Sequence, residues 1–471
     1  MKEGLTVEFS HAIRKTVAFF LVVGSFSIAL AGGDAPDFDR LAEEGINILS
    51  GYLKSDTSNP PGQELAGALY LAGHLERAGI GYRILESSPG RANLYARIKG
   101  EGNLPPIILL HHIDVVPATD ERWAQAPFSG MVADGFIWGR GALDAKGLGV
   151  AQLMTLLSLK RSDRPLKRDV IYLATADEEQ GGRYGVEWLL GNHFQLVENA
   201  ELVLNEGGTN FVKDGKLAYI GVENHQKLPL WVRLNVRGQG GHGSIPHGDS
   251  ANVRLIRALD RIVRYQPPLR VTPPVALYFR SVAPLQSASM RTAFANIEEW
   301  VDDTAFVRNM SPYFQSLLRD TINLTVLSGG SSVNVMPSSA TAELDCRLLP
   351  DQDPDEFLFR LAELAGDPSI EMETSLKFEP TDSPRHSEII EVIRRVTKRF
   401  SPDAIVGPSV LPGFTDSHHF REKGIPAYGF SPFKTRGSES ASVHGTNERL
   451  ALDDFRFGVQ YLYSVVAELV Y

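Results

Sequence analysis

Cysteine is almost absent from this 471-residue chain. Cys346 is the only one, so no intrachain disulfide can staple the fold. Long runs of like charge are missing too. The 47 basic and 57 acidic residues give a formal charge of −10. Without a basic tract, nothing would neutralise phosphates in quantity, which argues against a nucleic-acid partner. There is no internal repeat and no low-complexity tract, so the chain does not read as a repeat array or a disordered tail. Extended apolar sequence is confined to Thr16–Ala31, after Lys2, Arg14 and Lys15 and before Gly32-Gly33. That stretch is shorter than the ~20 residues of a spanning helix and ends in Ala29-Leu30-Ala31. It reads as a signal peptide over residues 1–31, cleaved after Ala31. No membrane span would remain, and the mature chain is expected to be secreted or periplasmic. The residue after the cleavage point is not cysteine, which argues against a lipid anchor.

What is present is the composition of a globular protein, 43% hydrophobic and 22% charged, long enough to predict two domains. From residue 37 the chain alternates strands with helices. Ile107-Ile108-Leu109-Leu110 is a continuous apolar run suited to a strand buried on both faces. Gly147 to Leu159 reads as an apolar helix, and Val170 to Ala176 and Glu201 to Asn205 as further buried strands. This rhythm predicts an α/β fold, a mostly parallel sheet with helices on both faces.

The pattern changes near Gln226. Leu228 to Val236 alternates like a half-exposed strand, as does Ala340 to Leu348, where Cys346 shares the apolar face and reads as a small core residue. Helical segments lie at Asn252 to Tyr265 and around Ala293 and Phe314. An α+β domain is therefore expected over residues 226–376, inserted in a catalytic domain made of residues 37–225 and 377–471. Ala427 to Phe430 is expected as a strand and Arg449 onward as the closing helix, capped by Asn447.

Acids and histidines collect where the buried runs stop. His112 ends one such run, and Asp114, two residues on, can accept its other ring N–H. Asp144 sits just before the apolar helix. Asp177-Glu178-Glu179 directly follows a buried strand, and Glu206 ends another. Ligands of open α/β sheets gather beyond the carboxyl ends of strands. Taken singly, each residue has a structural explanation, such as an N-cap for Asp144. Three consecutive acids after a buried strand repel one another, and nearby positive charge such as metal ions would resolve the conflict. One glutamate could ligate while the other moves protons, which is the donor set of a two-metal hydrolytic site.

In the motifs His112 to Pro117, Gly139 to Gly147 and Asp177 to Glu179, the chain resembles the zinc aminoacylase/carboxypeptidase family of dimetal metallohydrolases. The long insert, Asn205 to Gly208 and Phe430-Ser431-Pro432-Phe433 are similar to its carboxypeptidase S and N-acyl-amino-acid hydrolase branch. The resemblance implies two divalent metal ions, zinc in the first place, with cobalt or manganese also accepted by such ligands. His112 and Glu206 would hold one ion, Glu179 and His444 the other, and Asp144 would bridge them. Asp114 would orient His112, and Glu178 would be the general base and acid. The family's usual glycine before the ligand histidine is His111 here; the His-x-Asp spacing selects His112.

The same resemblance makes the insert a lid and dimerisation domain. His242, in Gly240 to His247, would reach the partner subunit's site. Asn334, Arg347 and Gly413 would contact substrate, although Phe414 stands where many members have a second glycine. The implied activity releases a C-terminal amino acid from short peptides or N-acyl amino acids. A co-catalytic zinc aminopeptidase or dipeptidase and an inactive peptide-binding relative are the alternatives.

Overall fold

The computed structural model describes residues 35–119, 122–245, 248–435 and 437–471. The expected signal peptide, and Pro246 and His247 of the histidine motif, lie outside them.

The apolar runs pair into one nine-stranded sheet. Its order is Tyr82–Ser88, Arg91–Ile98, Val170–Thr175, Ile107–His112, Leu202–Asn205, Ala427–Gly429, Lys216–Gln226 and Ile405–Leu411, with Thr209–Lys213 also paired to Lys216–Gln226. The four central strands, from Val170–Thr175 to Ala427–Gly429, are parallel. They are buried on both faces, as their unbroken apolar sequence requires. Alternation along Ile107–His112 divides the core. Ile108 and Leu110 pack with Val186, Leu190 and Phe420 on one face. His111 points to the other face, where the helix Lys146–Arg161 passes so close that a Cβ on Gly149 would meet its ring at 2.2 Å. His112, in phase with Leu110, therefore faces the opposite way.

A second sheet, wholly antiparallel, runs Thr321–Ser328, Ser339–Leu348, Leu228–Arg237 and Glu371–Lys377. The helices Ala251–Arg264 and Pro354–Ala365 cover it and close a separate core. Cys346 is fully buried there, and burial pushes its thiol up to about 12, as suits a packing residue.

Residues 273–318, assigned to the insert from sequence, pack elsewhere. Their helices form an aromatic cluster with Tyr219 and Val410, which belong to the large sheet. The end of the chain also differs from expectation. Arg449–Ala451 is a strand paired with Phe136–Trp138, and the last helix begins at Leu452. Asn447 does not cap it. Asn447 takes a left-handed φ of 63°, and its side-chain oxygen accepts the Ala124 N–H at 2.6 Å.

Candidate dimetal site

Strand ends supply the site. His112 closes its strand with Nδ1–H donating to the main-chain carbonyl of Asp114 at 2.8 Å. A carbonyl can only accept, so this bond leaves the Nε2 lone pair of the neutral ring free for a ligand. Nε2 lies 3.0 Å from Asp144 Oδ1 and 3.4 Å from Glu206 Oε1. Across the site, His444 Nε2 lies 3.1 Å from Asp144 Oδ2 and 3.2 Å from Glu179 Oε2. Asp144 thus turns one oxygen to each of two histidine–glutamate pairs.

The Asp114 carboxylate does more than stand beside His112. Its nearest oxygen is 3.5 Å from His112 Nδ1. It accepts the N–H groups of Glu178 and Glu179, each at 3.1 Å, and Asn59 Nδ2 at 2.9 Å. The Asp114 backbone carbonyl and carboxylate both stand at His112 Nδ1, and the carboxylate also anchors the turn Glu178–Gln180. Asp177, in a left-handed conformation just before that turn, is not among the clustered candidate ligands. Arg91 Nη2 donates to it at 2.5 Å, with further bonds from Asn59 and the Tyr184 N–H. Part of the positive charge that the acidic triplet demanded is therefore Arg91.

Sequence reading also passed over Glu448. It is fully buried and accepts from the N–H groups of Gly141, Leu143 and Asp144 at 3.0, 2.8 and 3.2 Å, and from Arg140 at 2.8 Å. It fixes the loop that carries Asp144. Its place four residues after His444 was the one available signal.

Burial sets the electrostatics. Glu178 is pushed well above the usual carboxylate range by burial, helped by the charge of Glu206. Glu179 rises to about 7 and Asp416 to about 8, again chiefly through burial. Hydrogen bonds that His444 donates to Asp144 and Glu179 lift it to about 10. Burial opposes charge on His112, but Glu206 and the neighbouring aspartates raise it nonetheless. His111 is driven down to about 3, chiefly by burial. On the far face of the sheet, it is no part of this site.

The residues fit a pair of cations. Ligand atoms of His112, Asp144 and Glu206 lie within 4.8 Å of one another, as do those of Asp144, Glu179 and His444. Glu179 Oε1 is buried without a hydrogen-bond partner. The partners of Glu179 and Glu206 in these pairs are histidines, not lysine or arginine. Mixed imidazole and carboxylate donors suit borderline divalent ions.

The site opens into a cavity of about 710 Å³, lined among others by Glu178, Arg347 and Gly413. His242 and Asn334 are brought together elsewhere. Gly241–His242 pairs with Val335–Met336 in an exposed two-stranded ribbon, and Gly243 N–H donates to the Asn334 carbonyl at 2.8 Å. Neither residue lines the cavity of its own chain.

A family model described as Peptidase family M20/M25/M40 matches residues 108–468. The chain is 29% identical over 389 residues to an N-fatty-acyl-amino acid synthase/hydrolase of Xenopus tropicalis, covering 80% of this chain and 75% of that one. It is 27% identical over 436 residues to aminoacylase-1B of Rattus norvegicus, covering 90% and 95%. The crystal structure of an M20 family metallo-carboxypeptidase from Sulfolobus solfataricus superposes with a TM-score of 0.69 at 21% identity, over 90% of this chain and 98% of that one. The fold is shared.

Proposed function

Since the chain belongs to peptidase family M20/M25/M40, we propose that it is a metal-dependent amidohydrolase that frees a C-terminal amino acid from N-acyl amino acids or short peptides. One observation carries the reading. The Asp144 carboxylate spans two histidine–glutamate pairs, and Glu178 faces the same cavity outside both.

His112, Glu206 and Asp144 would hold one ion, and Asp144, Glu179 and His444 the other. Zinc suits these donors best. Two such ions, when bound, supply a Lewis acid for an amide oxygen and lower the pKa of water. The rest falls to the chain. Asp114 fixes the turn so that the Glu178 carboxylate stands at the mouth of the site. Glu178 takes a proton from water as its oxygen bonds to the amide carbon. It then gives that proton to the amine nitrogen as the C–N bond breaks. Water is consumed, and an acid and a free amino acid leave. Arg347 offers a fork for the substrate's α-carboxylate.

The functional unit we infer is a homodimer. His242 is exposed on the ribbon and remote from its own cavity, which supports a role at the site of a second copy, as a donor to the oxyanion.

The test is a panel of N-acyl amino acids and dipeptides assayed with zinc, cobalt and manganese, together with Glu178→Gln. The variant is expected to keep about two metal equivalents by elemental analysis and to lose on the order of 10²–10⁴ in kcat. Near-normal turnover would overturn the assignment of the base. Substrates blocked at the α-amine should be cleaved and those blocked at the α-carboxylate spared; the reverse would make the enzyme an aminopeptidase.

A further inference from the structure

One wall of the cavity is built by the antiparallel sheet. Strand Ser339–Leu348 brings Glu343, Asp345 and Arg347 to it, and Trp231 stands opposite Asp345 on strand Leu228–Arg237. Arg347 is the only lysine or arginine among the described residues lining the cavity. Its guanidinium is already engaged. Nε donates to Asp345 Oδ1 at 2.6 Å and Nη2 to Oδ2 at 3.0 Å. Trp231 Nε1–H donates to the same Oδ1 at 3.0 Å and holds Asp345 in place. The face of the guanidinium lies over the Phe414 ring, 4.9 Å from its centre.

A guanidinium has two edges on which a carboxylate can seat, Nε with Nη2 and Nη1 with Nη2. Asp345 occupies the first. The second remains for one more planar carboxylate, and Asp345 and Phe414 together fix the plane in which it must lie. Charge then limits what that ligand can carry. Beyond the metal-ligand set, this wall holds one arginine against two carboxylates, Asp345 and Glu343. Glu343 is in turn bound at 2.6 Å by Arg233, which is not among the residues lining the cavity. A substrate α-carboxylate takes the last free donors. An acidic side chain would be a further negative charge with no cation to meet it. Trp231, Leu411 and Phe414 offer apolar surface instead.

We propose that Asp345 is a positioning and selectivity residue. It presets Arg347 to grip one α-carboxylate end-on, and it makes the enzyme prefer to release amino acids with neutral, apolar or aromatic side chains over aspartate and glutamate. The inference rests on the amidohydrolase reading above. Asp345 and Arg347 keep 27% and 20% of their side-chain surface exposed, so water screens the effect and a tenfold scale is the one to expect.

The cleanest probe is an isosteric pair that differs in charge alone. With the metal-loaded enzyme, kcat/KM for N-acetyl-L-glutamine should exceed that for N-acetyl-L-glutamate by about tenfold or more, with N-acetyl-L-leucine and N-acetyl-L-phenylalanine better still. Asp345→Asn keeps an oxygen for Trp231 and removes the charge. It should shrink the glutamine-to-glutamate ratio by about tenfold and raise KM for N-acetyl-L-leucine while kcat stays within about threefold. Trp231→Phe keeps the aromatic wall and loses the N–H. It should raise KM and leave the ratio unchanged, an outcome that still reports on the Asp345 anchor if Asp345→Asn fails to fold. Equal rates on glutamine and glutamate with the unaltered enzyme would overturn the proposal, as would an unchanged ratio in well-folded Asp345→Asn. Absence of hydrolysis across the whole panel would instead defeat the amidohydrolase reading, and this proposal with it.

Discussion

Each buried acid near the site is answered differently, and the answer separates structure from chemistry. Asp177 has Arg91, Glu448 has Arg140, and Glu223 has Arg421. Glu179 and Asp416 sit at about 7 and about 8 because burial has no such answer there. In the metal-free chain a carboxyl whose folded pKa is raised keeps a proton that the unfolded chain has already released. Stability therefore falls as pH rises from the ordinary carboxylate range through about 8. Raised His112 and His444 act with the same sign, since their favourable charge also fades upward in pH. Bound cations remove the penalty, and protons compete with them for the same atoms. The gain in Tm on adding two equivalents of zinc should accordingly be larger at pH 8 than at pH 5.5, by scanning calorimetry. An equal or smaller gain at pH 8 would contradict this account. His112, Glu178, Glu179 and Glu206 stood out in the sequence because each closely follows an apolar run, a signal carried within ten residues, whereas Asp144 and His444 were singled out through the family resemblance. Sequence could not expose Asn59, Arg91 or Glu448, whose partners lie 55, 86 and 308 residues away. Nothing local marks a polar residue whose role is to hold another from across the fold.

At the scale of elements, strands were easier to read than the packing of helices. A strand buried on both faces has an unbroken apolar sequence, and Ile107–His112 and Val170–Thr175 declare themselves that way. The helices of residues 273–318 are amphipathic in the ordinary sense, and an apolar helix face fits either of two apolar sheets. Only the three-dimensional match of Phe279, Phe294 and Phe314 to Tyr219 and Val410 decides between them. Phe314 is the centre of that cluster, with ring contacts to Phe211, Tyr278, Phe279, Phe294 and Tyr313. Phe314→Ala should cost about 3 kcal/mol in urea unfolding. Turnover per folded molecule should stay near that of the unaltered chain, because the cluster does not line the cavity. A loss of turnover without loss of stability would place this cluster in the catalytic machinery. The misplaced helix cap at Asn447 has a similar origin. A left-handed asparagine and a capping asparagine look alike in sequence, and pairing of Arg449–Ala451 with Phe136–Trp138 pushed the helix start onward.

At the scale of the whole molecule, a single copy leaves apolar surface uncovered. The edge strand Thr321–Ser328 exposes Val326 and Leu327, and the helix Ala251–Arg264 exposes Ile256 and Val263. Such apolar surface on a sheet edge invites a partner. If His242 serves a second copy, two inactive variants should complement each other. His242→Ala and Glu178→Gln, each nearly inert alone, should recover activity after mixing and exchange of subunits, because a hybrid dimer assembles one site with both residues intact. No recovery in a mixture shown by sedimentation to contain dimers would place His242 outside catalysis in a second copy.

Glu448 carries a consequence for how the molecule is made. The loop bearing Asp144 is gripped by a carboxylate synthesised some three hundred residues later, beside the histidine that completes the second metal pair. A nascent chain that has emerged only as far as Val443 owns His112, Asp144 and all its glutamates up to Glu439, yet its bridge is unanchored and one imidazole is missing. If Asp144 and His444 hold metal as proposed, ribosomal synthesis delivers a hydrolase that stays silent until its final segment folds back, whatever amides surround it in the meantime.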